Sequence, residues 1–297
     1  MRTIRRRTAT AAGHRRPPGR PRATGLILAL AGVLATGVLS AGLAGSTPAV
    51  LAASAVSAPA APVTTRMCQP AERATVVNRT GRWTYFVRND VWGSTAMCVS
   101  IHKQRPNFSV SLIGRNILDG RVEAFPDIFT GCGFAGCTAH SILPRRVRSL
   151  ASTHPATKWQ TRQPRSGIWN AAYDIWFSKT SNYARQANGA ELMIWIGTRG
   201  LGRPGRSWPV LRIDGARWYL LHWRTCERQK GTPCWNYIQF RRVRPVASAS
   251  LRLMPFIRAV ERRHLVLPRW WLLRIMAGFE IWRGGKGLAT KWFWARA

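Results

Sequence analysis

Residues 191–196, with the sequence Glu-Leu-Met-Ile-Trp-Ile, indicate most directly how this chain folds. Successive side chains of an extended strand point to opposite faces, so Glu191, Met193 and Trp195 share one face and three aliphatic residues share the other. The aliphatic face is expected to pack into a core, while the acidic and aromatic face stays open. The pattern predicts a β-sheet whose open side carries the chemistry.

Three other runs also place an acid and a Trp on one face, here with the Trp two residues after the acid. These pairs are Asp90 with Trp92, Asp174 with Trp176, and Glu280 with Trp282. Short alternating runs separated by Gly, Pro, Asn and Ser continue through residues 66–297 and predict one all-β sandwich domain. The exception is residues 250–263, where apolar residues recur at helical spacing and Pro255 suits a first turn, which predicts a helix.

The composition excludes a disordered polycation. The 297 residues include 46 Lys and Arg against 11 Asp and Glu, a formal charge of +35, yet 46% are hydrophobic and 15 are Trp. Enough apolar surface is therefore available for a core. Short Arg clusters are typical of solvated surface, but they also allow non-specific binding to anionic polymers. Because no nucleic-acid-binding motif is present, we expect no dedicated nucleic-acid partner.

Residues 1–62 have the composition of an export signal. A stretch with eight Arg precedes an apolar, uncharged run over 25–45, and an Ala- and Pro-rich tail follows. We expect cleavage between Ala44 and Ala61 and a secreted, extracellular product. The alternative is that the apolar run stays uncleaved as a membrane-spanning helix, which anchors the domain outside the cell.

All six cysteines follow the export segment, which favours disulfides over free thiols. Six cysteines allow fifteen pairings. Their spacing favours nearest neighbours, namely Cys68 with Cys98, Cys132 with Cys137, and Cys226 with Cys234. No metal site is predicted, because the Cys pairs lack zinc-binding spacing and the His residues are scattered, and no motif indicates a cofactor.

The acidic and aromatic face suits a polysaccharide. Trp rings offer flat apolar surfaces to sugar C–H groups, and carboxylates accept hydrogen bonds from sugar hydroxyls. Two carboxylates about 5–5.5 Å apart cleave a glycosidic bond with retention, one as nucleophile and the other as acid and then base. The alternative is that these acids are ordinary strand residues paired with some of the many Arg side chains.

Five blocks of the sequence resemble, in the same order, glycoside hydrolase family 12, the small jelly-roll endoglucanases. The resemblance covers most of residues 68–297. Its blocks are 85–93 (YFVRNDVWG), 131–137 (GCGFAGC), 170–176 (NAAYDIW), 191–195 (ELMIW), and 278–282 (GFEIW) followed by 287–290 (GLAT). The resemblance implies a concanavalin-like jelly-roll sandwich of two curved antiparallel sheets with one helix packed on it.

The resemblance also implies roles for individual residues. Glu191 matches the family's nucleophile, Glu280 its general acid/base, and Asp174 the acid that supports the nucleophile. The substrate-binding positions are Asn89, Asp90, Trp92, Met193, Trp195 and Trp282. Among them, Trp92 matches a platform on the non-reducing side, and Asp90 places a charge where the family usually has an amide. Two of the disulfides, Cys68–Cys98 and Cys132–Cys137, match those of bacterial members.

The sequence therefore predicts a secreted retaining endo-β-1,4-glucanase that hydrolyses cellulose or related β-glucans, acts as a monomer and needs no cofactor. Two alternatives stay open: a xyloglucan-specific endohydrolase of the same fold, and a non-catalytic cationic protein that binds polysaccharides. Arg side chains near the cleft are expected to lower the pKa of Glu280 and to shift the activity optimum towards acid.

Overall fold

A computed structural model describes residues 64–93, 95–114, 120–133, 136–202, 204–205, 208–226 and 233–297. The predicted export segment 1–62 and its expected cleavage site lie outside these residues. Within the described ranges, no helix combines the length and the hydropathy needed to cross a membrane.

Short extended runs form most of the described structure, as the sequence predicts. In chain order the strands are β1 Thr64–Met67, β2 Glu72–Val77, β3 Thr84–Asn89, β4 Met97–His102, β5 Phe108–Ile113, β6 Asp127–Gly133, β7 Gly136–Cys137, β8 Arg145–Arg146, β9 Ala156–Arg162, β10 Ile168–Ser178, β11 Ala190–Arg199, β12 Val210–Ile213, β13 Ala216–Thr225, β14 Trp235–Arg242, β15 Ser248–Arg252, β16 Trp271–Gly278, β17 Ile281–Arg283 and β18 Ala289–Arg296. The helix α1 spans Met254–Glu261, and two 3₁₀ turns span Val147–Ser149 and Ala151–Thr153.

Over the described residues, these strands form two sheets. The smaller sheet has the order β1-β4-β5-β18-β9-β15. The larger has the order β12-β13-β14-β11-β10-β16-β6-β3-β2, with β17, β7 and β8 paired to β10, β6 and β16. The predicted β-sandwich with one helix is confirmed. One pair departs from antiparallel order, since β11 and β14 run parallel from Ala190 beside Asn236 to Trp195 beside Arg241.

The core contains side chains from both sheets. Leu192 and Ile194 are fully buried in it, as their alternation with polar and aromatic residues predicts. Trp159 of the smaller sheet packs against Tyr173 of the larger sheet and against Phe279, with ring centroids 5.3 and 5.4 Å apart. Aromatic contacts of this kind hold the two sheets together and leave the opposite face of the larger sheet open.

The helix is shorter than the predicted segment 250–263. Its first part belongs instead to β15, which pairs with β9 and buries Ala249 and Leu251 at the two-residue spacing of a strand. Pro255 lies in the first turn of α1, as predicted. Phe256 attaches the helix to the core, with its ring edge-on to Trp218 at 5.1 Å.

The predicted strand 278–282 is interrupted. β16 ends at Gly278 and β17 begins at Ile281, and both pair with β10, so Phe279 and Glu280 form a two-residue break. A Cβ atom at Gly278 would lie 2.6 Å from a neighbouring backbone carbonyl oxygen, so only Gly fits where the break starts. The predicted facing persists across the break: Phe279 and Ile281 lie in the core, and Glu280 lines a cleft.

The three predicted disulfides are confirmed. Cys68 is bonded to Cys98, Cys132 to Cys137, and Cys226 to Cys234. The first joins the segment between β1 and β2 to β4. The second closes the β6–β7 hairpin, and the third links the end of β13 to the start of β14, close to the cleft. Two of the three bonds therefore fix segments of the larger sheet.

Candidate active site

The open face of the larger sheet carries its side chains in rows that cross the strands. In one row, Glu191 of β11 lies in register with Trp176 of β10 on one side and with Tyr237 of β14 on the other. Arg274 of β16 follows Trp176 in the same row. In the next row, Asp174 lies in register with Met193 and with Met276. Asp174 of β10 is therefore a diagonal neighbour of Glu191 of β11.

A cleft of about 710 Å³ lies over this face. Glu191, Asp174 and Glu280 line it together, although they come from β11, β10 and the break after β16. Asp90 and Trp92 line the part next to β3. Trp176 lines the cleft as well, so the structure brings together six of the residues that the sequence singled out.

Glu191 is held by an indole. The Nε1–H of Trp235, at the start of β14, donates a hydrogen bond of 2.7 Å to Glu191 Oε2. Burial raises the pKa of Glu191 well above its usual value, and the negative charges of Asp174 and Glu280 raise it further. The Trp235 hydrogen bond and the Arg274 charge act in the opposite direction, because both favour the ionised carboxylate.

Glu280 is held by one side chain, that of Asn170 on β10. The Asn170 amide nitrogen Nδ2 donates to Glu280 Oε2, and the Glu280 backbone N–H donates to Asn170 Oδ1 at 3.1 Å. Burial raises the pKa of Glu280 to about 7, against the lowering effect of the Asn170 hydrogen bond. The expected lowering by Arg side chains is wrong, because burial dominates and the nearby charge that acts on Glu280 is the negative Asp174.

Asp174 is fixed by its neighbour along the strand. The Nε1–H of Trp176 donates a hydrogen bond of 2.7 Å to Asp174 Oδ2. Burial raises the pKa of Asp174 to about 6, while that hydrogen bond and the charges of Arg274 and Arg88 lower it. Asp174 in turn raises the pKa of both glutamates, so the three acids are linked by charge.

Two of the predicted substrate-binding residues line the cleft, Trp92 with an exposed side chain and Asp90 with a partly buried one. Trp92 is 56% exposed and stacks on Phe125, with ring centroids 6.2 Å apart and planes at 27°. Asp90 forms an ion pair with Arg88, with 3.0 Å between Asp90 Oδ2 and Arg88 Nη2. The same nitrogen lies 2.6 Å from Asp127 Oδ2. The added charge of Asp90 is therefore partly neutralised within the protein.

The prediction that Asn89 binds substrate is wrong. Asn89 is fully buried, and its Nδ2 donates to the backbone carbonyl oxygens of Gln69 and Met97 at 3.1 and 2.9 Å. Its side chain tethers the β1–β2 connection to the start of β4. A buried amide with these partners presents no surface to a sugar.

The remaining predicted binding residues lie beneath or beside the cleft. Met193 is buried under Tyr237, whose hydroxyl lies 3.2 Å from the Met193 sulfur. Trp195 and Trp282 contact each other edge-on, with ring centroids 6.3 Å apart. Trp195 is also buried, so Trp282 is the one of these three with a partly exposed side chain.

A comparison with protein families matches the model of glycosyl hydrolase family 12 to residues 83–296. This range contains the four acids that line the cleft, Asp90, Asp174, Glu191 and Glu280.

The chain belongs to glycosyl hydrolase family 12.

Relatives and solved structures agree with this assignment. Endoglucanase S of Pectobacterium parmentieri is 27% identical over 176 residues, which span 58% of this chain and 65%, just under two thirds, of that protein. Probable cellulase Cel12b of Mycobacterium tuberculosis is 28% identical over 156 residues, or 52% of this chain and 96% of that protein. Endoglucanase cel12A from Rhodothermus marinus has a TM-score of 0.68 and 36% identity, covering 78% of this chain and 98% of that chain. The predicted family, jelly-roll fold and glycoside hydrolase class are confirmed.

Sequence reasoning missed three residues that shape the site of this family 12 protein. They are Asn170, Trp235 and Arg274. Asn170 lies four residues before Asp174 on the same face of β10, so extending the alternation backwards identifies it. Trp235 and Arg274 carry no such signal, because their positions depend on which strands are neighbours. No cluster of three or more His, Cys, Asp or Glu side chains suited to a metal ion occurs in the described part of the chain.

Proposed function

We propose that this protein is a secreted, retaining endo-β-1,4-glucanase that hydrolyses cellulose or a related β-glucan. The observation that carries the proposal is the convergence of Glu191 and Glu280 on one cleft, next to Asp174. Family membership supports the reaction class. The Rhodothermus marinus endoglucanase supports the substrate class, because its identity of 36% extends over 98% of its length.

The two glutamates supply the chemistry of a double displacement. The Glu191 carboxylate attacks the anomeric carbon while protonated Glu280 donates its proton to the departing glycosidic oxygen, which leaves a glycosyl ester on Glu191. Ionised Glu280 then takes a proton from water as the water oxygen attacks the same carbon and releases Glu191. Two inversions at one carbon retain its configuration.

The electrostatics of the cleft support this division of roles. Glu280, whose pKa burial raises to about 7, is protonated in weakly acidic solution, as a general acid requires. Burial and mutual repulsion disfavour full ionisation of all three acids together. The double displacement requires Glu191 charged and Glu280 protonated, and the Trp235 indole and Arg274 favour the ionised form of Glu191 against the raising effect of burial.

Trp92 supports a polysaccharide substrate. Its ring is exposed at the cleft and backed by Phe125, so a sugar ring can stack on it without rearrangement. We assign this platform to the non-reducing side of the scissile bond.

Export is consistent with the three disulfides, because disulfides form in oxidising compartments. The excess of Lys and Arg over Asp and Glu favours non-specific binding to anionic polymers.

The test is sugar release by the purified protein from mixed-linkage β-glucan, carboxymethyl cellulose and xyloglucan, with salt added to suppress adsorption by charge. We expect release from a β-glucan, with Glu191→Gln and Glu280→Gln each lowering the rate by several orders of magnitude. Glu261→Gln, on α1 and outside the cleft lining, is the matched control and keeps wild-type activity. Proton NMR of the fresh product checks that the anomeric configuration is retained.

Two results would replace the proposal. Release from xyloglucan alone would identify the protein as a xyloglucan-specific endohydrolase. No release from any glucan by the folded wild type, with glucan affinity unchanged in Glu191→Gln, would identify a non-catalytic cationic binding protein. Three Arg side chains in the cleft lining, Arg73, Arg88 and Arg274, are the observation that keeps this second candidate under test.

A further inference from the structure

A second exposed aromatic platform lies towards the other end of the larger sheet from Trp92, across the strands. Trp223 of β13 keeps 45% of its surface exposed. In the strand order of the larger sheet, β13 lies beyond β14 and β11, whereas Trp92 follows β3 at the other side of β10 and β16. The strands that carry Glu191 and Asp174 therefore lie between the two Trp residues.

Trp223 is backed by a second ring, as Trp92 is. Its ring stacks on Tyr237 with centroids 4.1 Å apart and planes at 28°. The Tyr237 hydroxyl lies 3.2 Å from the Met193 sulfur and 3.4 Å from Gln239 Oε1, so the lower ring is fixed to the sheet. A stacked Trp with one ring face covered and much of its surface in solvent presents a flat apolar surface that is already oriented.

The position of Trp223 relative to the nucleophile follows from the strand register. Trp223 is the partner of Tyr237, and Tyr237 is the partner of Glu191, so all three belong to one row across the sheet. Neighbouring strands lie about 4.8 Å apart, which places Trp223 two strands, or about 10 Å, from the strand of Glu191. Thr225, two residues further along the same face of β13, already lines the cleft.

We propose that Trp223, backed by Tyr237, binds the sugar units on the leaving-group side of the scissile bond. The ligand is the uncharged β-1,4-linked chain itself, because the apolar ring of Trp223 offers its flat surface to the C–H faces of sugar rings. The protein then holds one chain on both sides of Glu191, by Trp92 and by Trp223. This inference rests on the proposed glucanase function and extends it to the far half of the cleft.

The test compares two substrates that differ in length on the leaving-group side. One is cellohexaose, and the other is 4-nitrophenyl β-cellobioside, whose leaving group is a single small ring. We expect Trp223→Ala to lower the ratio of the two kcat/KM values, cellohexaose over aryl cellobioside, by roughly tenfold. Trp223→Phe keeps a ring on Tyr237 and retains most of the ratio, whereas Trp92→Ala lowers kcat/KM for both substrates.

The matched control is Trp292→Ala. Trp292 has a similar exposure of 42% but lies in β18 of the smaller sheet, so its removal leaves the ratio unchanged. Cellohexaose labelled at its reducing end gives a second readout: Trp223→Ala moves cleavage towards that end, because fewer units are held there.

The outcomes separate this inference from the function on which it rests. Wild type that hydrolyses neither substrate overturns the proposed function. Normal hydrolysis by wild type, with a Trp223→Ala ratio and cleavage pattern equal to those of Trp292→Ala, overturns the platform alone. Circular dichroism and the thermal midpoint of each variant identify any loss that comes from unfolding, and Trp223→Phe then decides the question.

Discussion

Glu191 lies inside a ten-residue strand with a neighbour on each side, whereas Glu280 lies in a two-residue break between β16 and β17. The position of Glu191 is set by the registers of β11 with β10 and β14, and one indole adds a hydrogen bond. The position of Glu280 depends on Asn170, whose backbone N–H also donates to the Glu280 carbonyl oxygen at 3.0 Å. A sheet therefore holds one carboxylate, and a single residue holds the other.

The largest expected effect separates the two glutamates by their chemistry. Glu191→Ala and Glu280→Ala each lower β-glucan hydrolysis by roughly 10⁴-fold or more. On an aryl cellobioside with a dinitrophenyl leaving group, Glu280→Ala recovers the first step, because that group departs without a proton, and Glu191→Ala does not. Stopped-flow measurement of aryl release distinguishes them, and equal losses on both substrates would contradict the assigned roles.

A smaller effect tests the single residue that holds Glu280. Asn170→Ala removes a hydrogen bond to a carboxylate and the lock on the break, so we expect kcat to fall roughly 10- to 100-fold. Because that hydrogen bond lowers the pKa of Glu280, its loss raises this pKa and moves the alkaline limb of the kcat profile to higher pH. Asn236→Ala, which removes an amide bound to the Leu265 carbonyl oxygen, is the control. An unmoved alkaline limb would show that Asn170 does not act on Glu280.

The corresponding change at Glu191 is expected to cost less. Trp235→Phe removes the indole N–H but keeps a ring beside Trp176, and β11 still positions the carboxylate. We expect kcat to fall by roughly three- to tenfold. The pKa of Glu191 rises without this donor, so the acid limb of the kcat profile moves to higher pH. A loss as large as that of Asn170→Ala would contradict the difference between sheet-held and residue-held acids.

The smallest effect is a change in pH dependence alone. Arg274 lowers the pKa of Glu191 and Asp174, and it stacks over Trp176 at 5.0 Å. Arg274→Met therefore raises both pKa values and moves the acid limb to higher pH, while the alkaline limb, set by Glu280, stays in place. Arg274→Lys keeps the charge and the wild-type acid limb. Movement of both limbs in the Met variant would mean that Arg274 also acts on Glu280.

Alternation along single strands predicted correctly which side chains enter the core and which face the cleft. Leu192 and Glu191 are examples, and so are Phe279 and Glu280, whose facing persists although the strand is broken. The break itself was not predicted, because it depends on the close approach of Gly278 to a backbone carbonyl that belongs to a distant part of the chain.

The sequence did not predict which strands are neighbours in the sheets. The bond from Trp235 to Glu191 joins residues 44 positions apart and depends on the parallel pairing of β11 with β14. The stack of Trp223 on Tyr237 depends on the next pairing, between β13 and β14. Asn89 shows the opposite error: it lies next to a cleft residue in the chain, but its amide binds two backbone carbonyls in the interior.

The two-residue break at Phe279–Glu280 sets where the proposed acid/base, Glu280, lies relative to the proposed nucleophile, Glu191. Retaining enzymes keep their carboxyl groups about 5–5.5 Å apart, and inverting enzymes need about 6.5–9.5 Å to admit a water molecule. Here that separation depends on one short connection, because β16 and β17 are each anchored to β10 independently of it. We expect a one-residue insertion between Phe279 and Glu280 to alter this gap and to shift the backbone hydrogen bonds that Phe279 and Glu280 make with Pro126 and Asn170. The stereochemical outcome of the proposed reaction is therefore expected to depend on the length of this two-residue connection.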